Sequence, residues 1–127
     1  MNKNKKRILI VDDEVPLSRL LKLSLEHTGM YLVQVENRSE EAVRAAERFQ
    51  PELVLMDVMM PGIDGGTLAA QFQTSEPLKH VPIVFLTAAV KRAEVQRSQG
   101  QIGGYPFLAK PVDLQEITRC LRHHLGT

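Results

Sequence analysis

The sequence predicts an α/β fold of three layers, in which a parallel five-stranded sheet carries helices on both faces. The first observation is a fivefold alternation of short apolar runs with segments of helical periodicity along the 127 residues. The second is that the apolar runs are nearly continuous, which is typical of strands buried on both faces. The chain length suits one domain with a single core, so we expect one domain over residues 1–127.

The first strand and helix are predicted from residues 8 to 28. Residues 8–11 form a β-branched apolar run, which indicates a buried strand. A helical period begins at Val15, with Pro16 in the first turn, where a missing N–H costs little. Gly29 ends this helix. The positions that follow the helical spacing are Leu17, Leu20, Leu21, Ser24, Leu25 and Thr28.

The second unit combines a short strand, residues 31–35, with a helix that opens at Ser39. We expect the Ser39 hydroxyl to cap this helix, and Glu40 and Glu41 add favourable acids to its first turn. The predicted buried stripe consists of Ala42, Ala45, Ala46 and Phe49.

The third strand is predicted in residues 53–58, where apolar side chains surround one carboxylate, Asp57. Because a carboxylate is costly to bury inside a sheet, Asp57 is expected at the carboxyl end of the strand. Pro61 begins a loop, Asp64 is predicted to cap the third helix, and Pro77 ends that region. The inner face of the third helix comprises Leu68, Ala69 and Phe72.

The last two units are less regular. Residues 81–86 predict a fourth strand, and residues 90–98 predict a fourth helix with a thin apolar stripe. The fifth strand, Tyr105–Ala109, contains Pro106, which suits an edge strand because proline cannot donate to a ladder. Asp113 is predicted to cap the fifth helix. The residues expected to face inward from it are Leu114, Ile117, Leu121 and Leu125.

Composition and charge exclude several classes of function. The formal net charge is +1, so the chain lacks the general basic character that indicates nucleic-acid binding. The single cysteine, Cys120, cannot form an intramolecular disulfide and fits a reducing compartment. The apolar run of residues 8–11 is too short for a signal peptide, and no run reaches transmembrane length. We therefore expect a cytoplasmic domain that contacts neither nucleic acid nor a membrane.

Polar side chains stand at the carboxyl ends of four predicted strands. Asp12 and Asp13 follow the first strand, Asp57 ends the third, Thr87 ends the fourth, and Lys110 follows the fifth. In a parallel sheet these ends share one edge, and open α/β sheets bind ligands there. Three carboxylates, a hydroxyl and an amine at one edge form a set that separate structural roles do not explain.

Four motifs stand out along the chain, each at the end of a predicted strand. They are ILIVDDE at residues 8–14, LVLMDVMMPGIDG at residues 53–65, FLTAA at residues 85–89 and FLAKP at residues 107–111. Together they resemble the receiver domains of bacterial two-component response regulators, in the order and roughly the spacing of that family. The resemblance covers essentially the whole chain and implies a flavodoxin-like fold with the strand order 2-1-3-4-5.

The resemblance also implies a function. Asp57 would be the phosphorylated aspartate, with Thr87 and Lys110 as its catalytic partners, and the peptide bond before Pro111 would be cis. The donor would be a phosphohistidine of a sensor histidine kinase or of a histidine phosphotransfer protein. Such a protein catalyses only its own phosphorylation and dephosphorylation, so we do not expect an enzyme with a separate substrate.

The chemistry of the acidic residues predicts a metal site independently of the family resemblance. Three acids in one pocket repel each other, so something must offset their charge at neutral pH. A few hard oxygen ligands suit Mg²⁺, or Mn²⁺. We assign direct binding to Asp13 and Asp57 and binding through water to Asp12, and the resemblance adds the backbone carbonyl of Met59. Asp57 can then act as a carboxylate nucleophile on a phosphoryl group, while the Lys110 ammonium offsets charge on the phosphoryl oxygens.

The family resemblance further implies a conformational switch. Phe107 occupies the position of the family's switch aromatic, and Thr87 is the hydroxyl that would respond to a phosphoryl group. The face made by the fourth helix, the fifth strand and the fifth helix is where receivers commonly form homodimers or meet partners. The downstream partner is not indicated by the sequence.

Three alternatives share parts of this pattern. A phosphatase of the haloacid-dehalogenase type places its nucleophile in a D-x-D motif after the first strand, where this chain has adjacent Asp12 and Asp13. A flavodoxin-type FMN carrier needs N–H donors in that loop, and Asp12, Asp13 and Glu14 would repel the phosphate. A receiver that signals without phosphorylation is disfavoured by the complete set of acids, hydroxyl and amine.

Overall fold

The computed structural model describes residues 4–88, 101–102 and 104–126. The strands are β1 (Lys6–Val11), β2 (Tyr31–Glu36), β3 (Leu53–Asp57), β4 (Ile83–Thr87), β5 (Gln101–Ile102) and β6 (Tyr105–Ala109). The α-helices are α1 (Val15–His27), α2 (Ala42–Phe49), α3 (Gly65–Thr74) and α4 (Leu114–Leu125). The fourth predicted helix lies outside the described residues, so α4 is the fifth predicted helix and β6 the fifth predicted strand.

The strands form one sheet with the order β2-β1-β3-β4-β6-β5. Every pair from β2 across to β6 is parallel, which confirms the predicted order of five parallel strands. All residues of β3 and β4 are buried, as are the last four residues of β1. Burial on both faces explains why these strands are almost continuously apolar in the sequence.

A two-residue strand, β5, extends the sheet beyond the edge that the sequence predicts. Gln101 pairs antiparallel with Pro106, and Gly104, with a φ of 86°, lies in the turn before β6. Pro106 therefore faces a neighbouring strand and does not lie on a free edge. Two residues carry too little periodicity to be recognised as a strand in the sequence.

The alternation of side chains along the strands divides the core into two layers, one on each face of the sheet. One layer packs between the sheet and helices α2 and α3, and the other between the sheet and helices α1 and α4. The central residues of the first layer are Leu9, Val11, Ala46, Val54, Met56, Leu68, Phe72, Phe85 and Phe107. Those of the second are Ile8, Ile10, Leu21, Leu25, Leu53, Leu55, Val84, Leu86, Ile117 and Leu121.

Two of the three predicted helix caps are confirmed. The Asp64 carboxylate accepts the Thr67 N–H at 2.7 Å, and the Asp113 carboxylate accepts the Glu116 N–H at 2.8 Å. Ser39 instead begins a 3₁₀ turn, Ser39–Glu41, that precedes α2 and makes no cap. The prediction for Ser39 is wrong because its hydroxyl bonds to a different loop, described below.

Two leucines of the predicted helix stripes face solvent. Leu20 on α1 is 60% exposed, and Leu114 at the start of α4 is 39% exposed. Helical spacing does not show which of several neighbouring positions the sheet covers. Leu114 is the first residue of its helix. Within the described ranges, none of the helices combines the length and the apolar composition that crossing a membrane requires.

Gly65 sets the distance between α3 and the end of β3. A Cβ atom on Gly65 would lie 2.6 Å from the Asp57 carbonyl oxygen and 2.8 Å from the Val58 Cα. The Gly65 N–H also donates to the Val58 carbonyl at 2.8 Å. Glycine is therefore required for the first turn of α3 to press against the backbone of Asp57.

We predict that Gly65→Ala lowers the free energy of unfolding by roughly 1–3 kcal/mol, the usual cost of forcing extra volume into a packed site. Urea denaturation would measure the change. Gly66→Ala is the matched control, because the nearest described atom to a Cβ there is an Asp64 carboxylate oxygen, at 3.6 Å. That control is expected to be neutral or slightly stabilising, since alanine favours a helix over glycine. Equal destabilisation by both substitutions would contradict the packing argument.

Candidate functional site

The fold brings the predicted site residues to the carboxyl edge of the sheet. Asp12 directly follows β1, Asp57 and Thr87 are the last residues of β3 and β4, and Lys110 directly follows β6. Asp12 and Thr87 are completely buried, and Asp57 is 4% exposed. The Lys110 N–H donates to the Thr87 carbonyl at 2.8 Å, which fixes the lysine backbone beside β4. The sequence prediction that these residues meet at one edge is therefore confirmed by their geometry.

The Lys110 ammonium lies among three carboxylates. Its Nζ is 2.8 Å from Asp12 Oδ2, 3.0 Å from Glu14 Oε1 and 3.5 Å from Asp57 Oδ2. The Lys110 side chain is only 8% exposed, so these contacts replace most of its hydration. The peptide bond between Lys110 and Pro111 is cis, as the resemblance implies.

Both carboxylate oxygens of Asp12 are occupied. Oδ2 accepts from Lys110, and Oδ1 accepts the backbone N–H of Glu14 at 2.9 Å. The backbone of Asp12 is held as well, since its N–H donates to the Glu36 carbonyl at 3.2 Å and its carbonyl accepts from Asn37 at 2.7 Å. Asp12 is therefore fixed in position and orientation.

Asp12, Asp13 and Asp57 form an acidic cluster. Each offers a carboxylate oxygen, and these three oxygens lie within 4.8 Å of one another. Asp13 is half-buried, and the other two are buried. Clustered carboxylates with few other ligands fit a hard divalent cation that keeps part of its water shell. The donor set thus matches the predicted Mg²⁺ or Mn²⁺.

The charges around Asp57 change how easily it ionises. Burial and, next, the negative charge of Asp12 raise the pKa of Asp57 from its ordinary value of 3.8 to about 6. The Lys110 ammonium and the Met59 N–H, which donates to Asp57 Oδ1 at 3.3 Å, act in the opposite direction. Near neutral pH Asp57 is therefore mostly ionised, as a nucleophile must be, but at a cost in stability.

The surroundings of Lys110, unlike those of Asp57, favour its charged form. Burial alone would lower the pKa of its ammonium, but the hydrogen bonds to Asp12 and Glu14 and the nearby negative charges together outweigh burial and raise the pKa above its ordinary value. The charges of Asp12 and Asp57 act in the same direction. Lys110 therefore carries a permanent positive charge in the site.

Two other predicted residues lie near this edge. The Met59 side chain is 67% exposed and does not pack in the core, so only its backbone is part of the site. Phe107 is 6% exposed, lies opposite Phe85 in the parallel pair of β4 and β6, and packs in the layer under α2 and α3. The assignment of the Met59 carbonyl to a metal stays a prediction.

The residues that hold the acidic loops were not predicted to do so from the sequence. Asn37 bonds to the carbonyl of Asp12, and Ser39 bonds to the loop after Asp57. Neither belongs to a recognisable motif, and both lie in the turn after β2, an edge strand of the predicted sheet. A polar residue at the carboxyl end of strand two was the available signal, since that end reaches the same edge of the sheet.

Comparison with models of protein families identifies the family of this chain. The model of the response regulator receiver domain matches residues 8–122 of the chain. The chain belongs to the response regulator receiver domain family. Receiver domains take a phosphoryl group onto an aspartate in two-component signalling, from histidine kinases or phosphotransfer proteins.

Similar proteins include larger regulators. The phosphate regulon transcriptional regulatory protein PhoB of Pseudomonas aeruginosa is 34% identical over 118 residues, which are 92% of this chain and 50% of PhoB. The response regulator PleD of Caulobacter vibrioides is 39% identical over 110 residues, which are 84% of this chain and 23% of PleD. The receiver thus spans half the length of PhoB and about a quarter of PleD.

Solved structures agree with the fold. A putative response regulator from Chloroflexus aurantiacus superposes with a TM-score of 0.82 at 31% identity, over 97% of this chain and 99% of that one. The receiver domain of a sensor histidine kinase from Pseudomonas aeruginosa superposes with a TM-score of 0.81 at 29% identity, with the same coverage of both chains. That structure has a magnesium ion coordinated in its active site cleft. Receiver domains bind Mg²⁺ at their acidic site, and this chain has the corresponding acidic cluster.

We predict that Asp57→Asn changes the pH dependence of stability when divalent cations are removed by EDTA. Because the folded pKa of about 6 exceeds the ordinary 3.8, ionising Asp57 destabilises the folded state progressively between those pH values. Two pKa units correspond to roughly 3 kcal/mol. The stability of Asp57→Asn relative to wild type should therefore increase by up to roughly 3 kcal/mol between pH 4 and pH 7.5.

Urea denaturation at several pH values would measure this difference. Glu76→Gln is the control, because it removes an exposed carboxylate paired with Lys79 at the opposite edge of the sheet. A difference between Asp57→Asn and wild type that stays constant with pH would show that Asp57 ionises equally easily in the folded and unfolded chain.

Proposed function

We propose that this receiver accepts a phosphoryl group on Asp57 from a phosphohistidine of a sensor histidine kinase or a histidine phosphotransfer protein. The observation that carries the proposal is the position of the Asp57 carboxylate. It lies at the end of the central strand β3, buried, 3.5 Å from the Lys110 ammonium and clustered with Asp12 and Asp13. A nucleophile, a fixed cation and two further acids thus surround one point at the sheet edge.

The transfer begins with attack of an Asp57 carboxylate oxygen on phosphorus. A new P–O bond forms, the P–N bond to the donor imidazole breaks, and its electron pair stays on the imidazole nitrogen. The product is an acyl phosphate on Asp57. Attack of water on that phosphorus later releases inorganic phosphate and restores the carboxylate, so the protein acts only on its own modification.

Lys110 and Thr87 supply charge and hydrogen bonds. The Lys110 ammonium already contacts Asp57 and is positioned to pair with an oxygen of the arriving phosphoryl group. Thr87 is buried at the end of the neighbouring strand β4, and we assign its hydroxyl as a donor to a second phosphoryl oxygen. Both groups stand on strand ends, which hold them more precisely than a free loop would.

Four residues are proposed to hold the cation. Asp13 and Asp57 bind Mg²⁺ or Mn²⁺ directly, Asp12 binds it through water, and the Met59 carbonyl completes the protein ligands. When bound, the cation offsets the charge of the acids and of the transferring phosphoryl oxygens.

A cavity beside the site suits the approach of the donor. It has a volume of about 310 Å³ and is lined by Glu14 and Lys110 together with several apolar residues. The walls include Leu17, Leu21, Leu86 and Val112. We propose that the protein segment carrying the phosphohistidine packs here, because apolar contact next to Lys110 would exclude water from the transfer.

We predict that incubation with acetyl phosphate and Mg²⁺ adds one phosphoryl group per chain, and that Asp57→Asn abolishes this addition. Intact-mass spectrometry would measure it, with EDTA expected to suppress the reaction of the wild type. Asp13→Asn should slow the reaction at least ~10-fold, because even the loss of a residue that only orients a metal ligand usually costs that much.

Glu76→Gln is the control for this reaction, because its carboxylate is exposed and, among the described residues, pairs with Lys79 alone. Phosphorylation of the control should equal that of the wild type. If Asp57→Asn still gains the phosphoryl mass at full stoichiometry, another residue is the acceptor and the assignment is wrong.

We further propose that phosphorylation is read out through Thr87 and Phe107. A dianionic group on Asp57 attracts hydrogen-bond donors, and drawing Thr87 toward it would free space beside β4. Phe107 lies on the neighbouring strand, in register with Phe85, and could rotate into that space. The affected face includes β6 and α4, and its partner is a downstream protein or a second copy of the chain. The fourth predicted helix, which the sequence prediction adds to this face, lies outside the described residues.

We predict that beryllium fluoride, a phosphoryl mimic, shifts the NMR signals of the Phe107 ring and of α4 in the wild type. Thr87→Ala should remove these remote shifts, and Thr87→Ser, which keeps the hydroxyl, should retain them. Thr74→Ala is the control, since it removes an exposed hydroxyl that donates to the Gln71 carbonyl, within its own helix. Remote shifts that persist in Thr87→Ala would exclude this route.

A further inference from the structure

The turn between β2 and α2, residues 37–39, contacts both loops that carry the acidic cluster. One is the β1–α1 loop, residues 12–14, and the other is the β3–α3 loop, residues 58–64. The contacts are side-chain hydrogen bonds made by Asn37 and Ser39. Neither residue was expected to have this role from the sequence.

Asn37 holds the β1–α1 loop. Its Nδ2 donates to the Asp12 carbonyl at 2.7 Å and to the Ser18 hydroxyl at 2.9 Å, so both amide protons have acceptors. Ser18 is 1% exposed and donates in turn to the Val15 carbonyl at 3.1 Å. Because the Asp12 N–H also donates to the Glu36 carbonyl, the peptide groups on both sides of Asp12 are tied to the end of β2.

Ser39 holds the β3–α3 loop in a similar way. It is 3% exposed, its hydroxyl donates to the Pro61 carbonyl at 3.0 Å, and its oxygen accepts the Ile63 N–H at 2.9 Å. Gly62 lies between these two partners, and a Cβ atom there would stand 3.0 Å from Ser39 Oγ and 2.7 Å from Glu40 Oε1. The close approach to Ser39 and the positive φ of Gly62, 86°, both favour glycine at this point of the loop.

We propose that Asn37 and Ser39 are positioning residues that fix the distance between the two acidic loops. Among the described residues, their side chains hydrogen-bond to Asp12, Ser18, Pro61 and Ile63, and to neither Asp57 nor Asp13. They act through the backbone, Asn37 on the loop of Asp12 and Asp13, and Ser39 on the loop that follows Asp57. This inference rests on the proposed function, because it assumes that one cation bridges the two loops.

The physical consequence is a preorganised cation site. A divalent cation gains most when its ligands already stand at the right separation, because no binding energy is then used to order the loops. Loss of either hydrogen-bond pair frees one loop while all the carboxylates remain. The affinity for the cation should fall, whereas the chemical step with the cation bound should change little.

The test measures Mg²⁺ binding and phosphorylation by acetyl phosphate in wild type, Asn37→Ala and Ser39→Ala. Isothermal titration calorimetry well below the melting temperature gives the affinity without any reaction. We expect each substitution to weaken Mg²⁺ binding roughly 10-fold, the lower end of the usual effect of residues that orient metal ligands. The Mg²⁺ concentration for half-maximal phosphorylation should rise by the same factor, with the rate at saturating Mg²⁺ within about twofold of wild type.

Two controls separate positioning from general destabilisation. Ser75→Ala removes a serine hydroxyl that donates to Glu47 Oε2 at 3.0 Å, at the opposite edge of the sheet. Ile117→Val removes a buried methyl group from the core under α4 and lowers stability without touching either loop. Both controls should bind Mg²⁺ as the wild type does.

The outcomes distinguish this inference from the proposed function. If the wild type binds Mg²⁺ and is phosphorylated, but Asn37→Ala and Ser39→Ala bind Mg²⁺ like the controls, the positioning role is refuted and the proposed function stands. If the wild type neither binds Mg²⁺ nor gains a phosphoryl group, both are refuted. Either variant alone is sufficient for the test if the other does not fold.

Discussion

The arrangement of the site depends on one constraint, the concentration of negative charge at a buried sheet edge. Asp12 and Asp57 lie there almost without access to water, and among the described residues Lys110 provides the positive charge that contacts both. Breaking such a pair by removing one partner leaves an uncompensated buried charge, which is strongly destabilising. Lys110 can balance these acids because β6 lies beside β4 and delivers it to the edge that β1 and β3 share.

The sheet and the loops contribute differently to this balance. The sheet places the ends of β1, β3, β4 and β6 side by side, and its buried, close-packed strands leave those ends little freedom. The loops decide where the carboxylates then point. Gly65 brings α3 against the backbone of Asp57, while Asn37 and Ser39 fix the loops on either side. Precise geometry thus comes from hydrogen bonds between loops, on a support made by the apolar core.

The sequence predicted those parts of the molecule that rest on repeated or local patterns. The buried strands and the caps at Asp64 and Asp113 were predicted, since apolar runs and capping positions are signals within a few residues. Ser39 was misread as a cap because its partners lie more than twenty residues away, at Pro61 and Ile63. The exposure of Leu20 likewise depends on which neighbouring elements cover α1, which the spacing of leucines does not contain.

The three partners of Lys110 differ in how readily they could be exchanged. Asp12 is completely buried, and its Oδ2 accepts from Lys110, so loss of that contact would leave Oδ2 without water or a partner. The Glu14 side chain is 57% exposed, so water can replace its contact with Lys110 at little cost. If a phosphoryl group on Asp57 draws the ammonium toward it, Glu14 is therefore the partner that gives way, while Asp12 keeps the lysine anchored. The exposed ion pair thus allows Lys110 to adjust, and the buried one keeps it in the site.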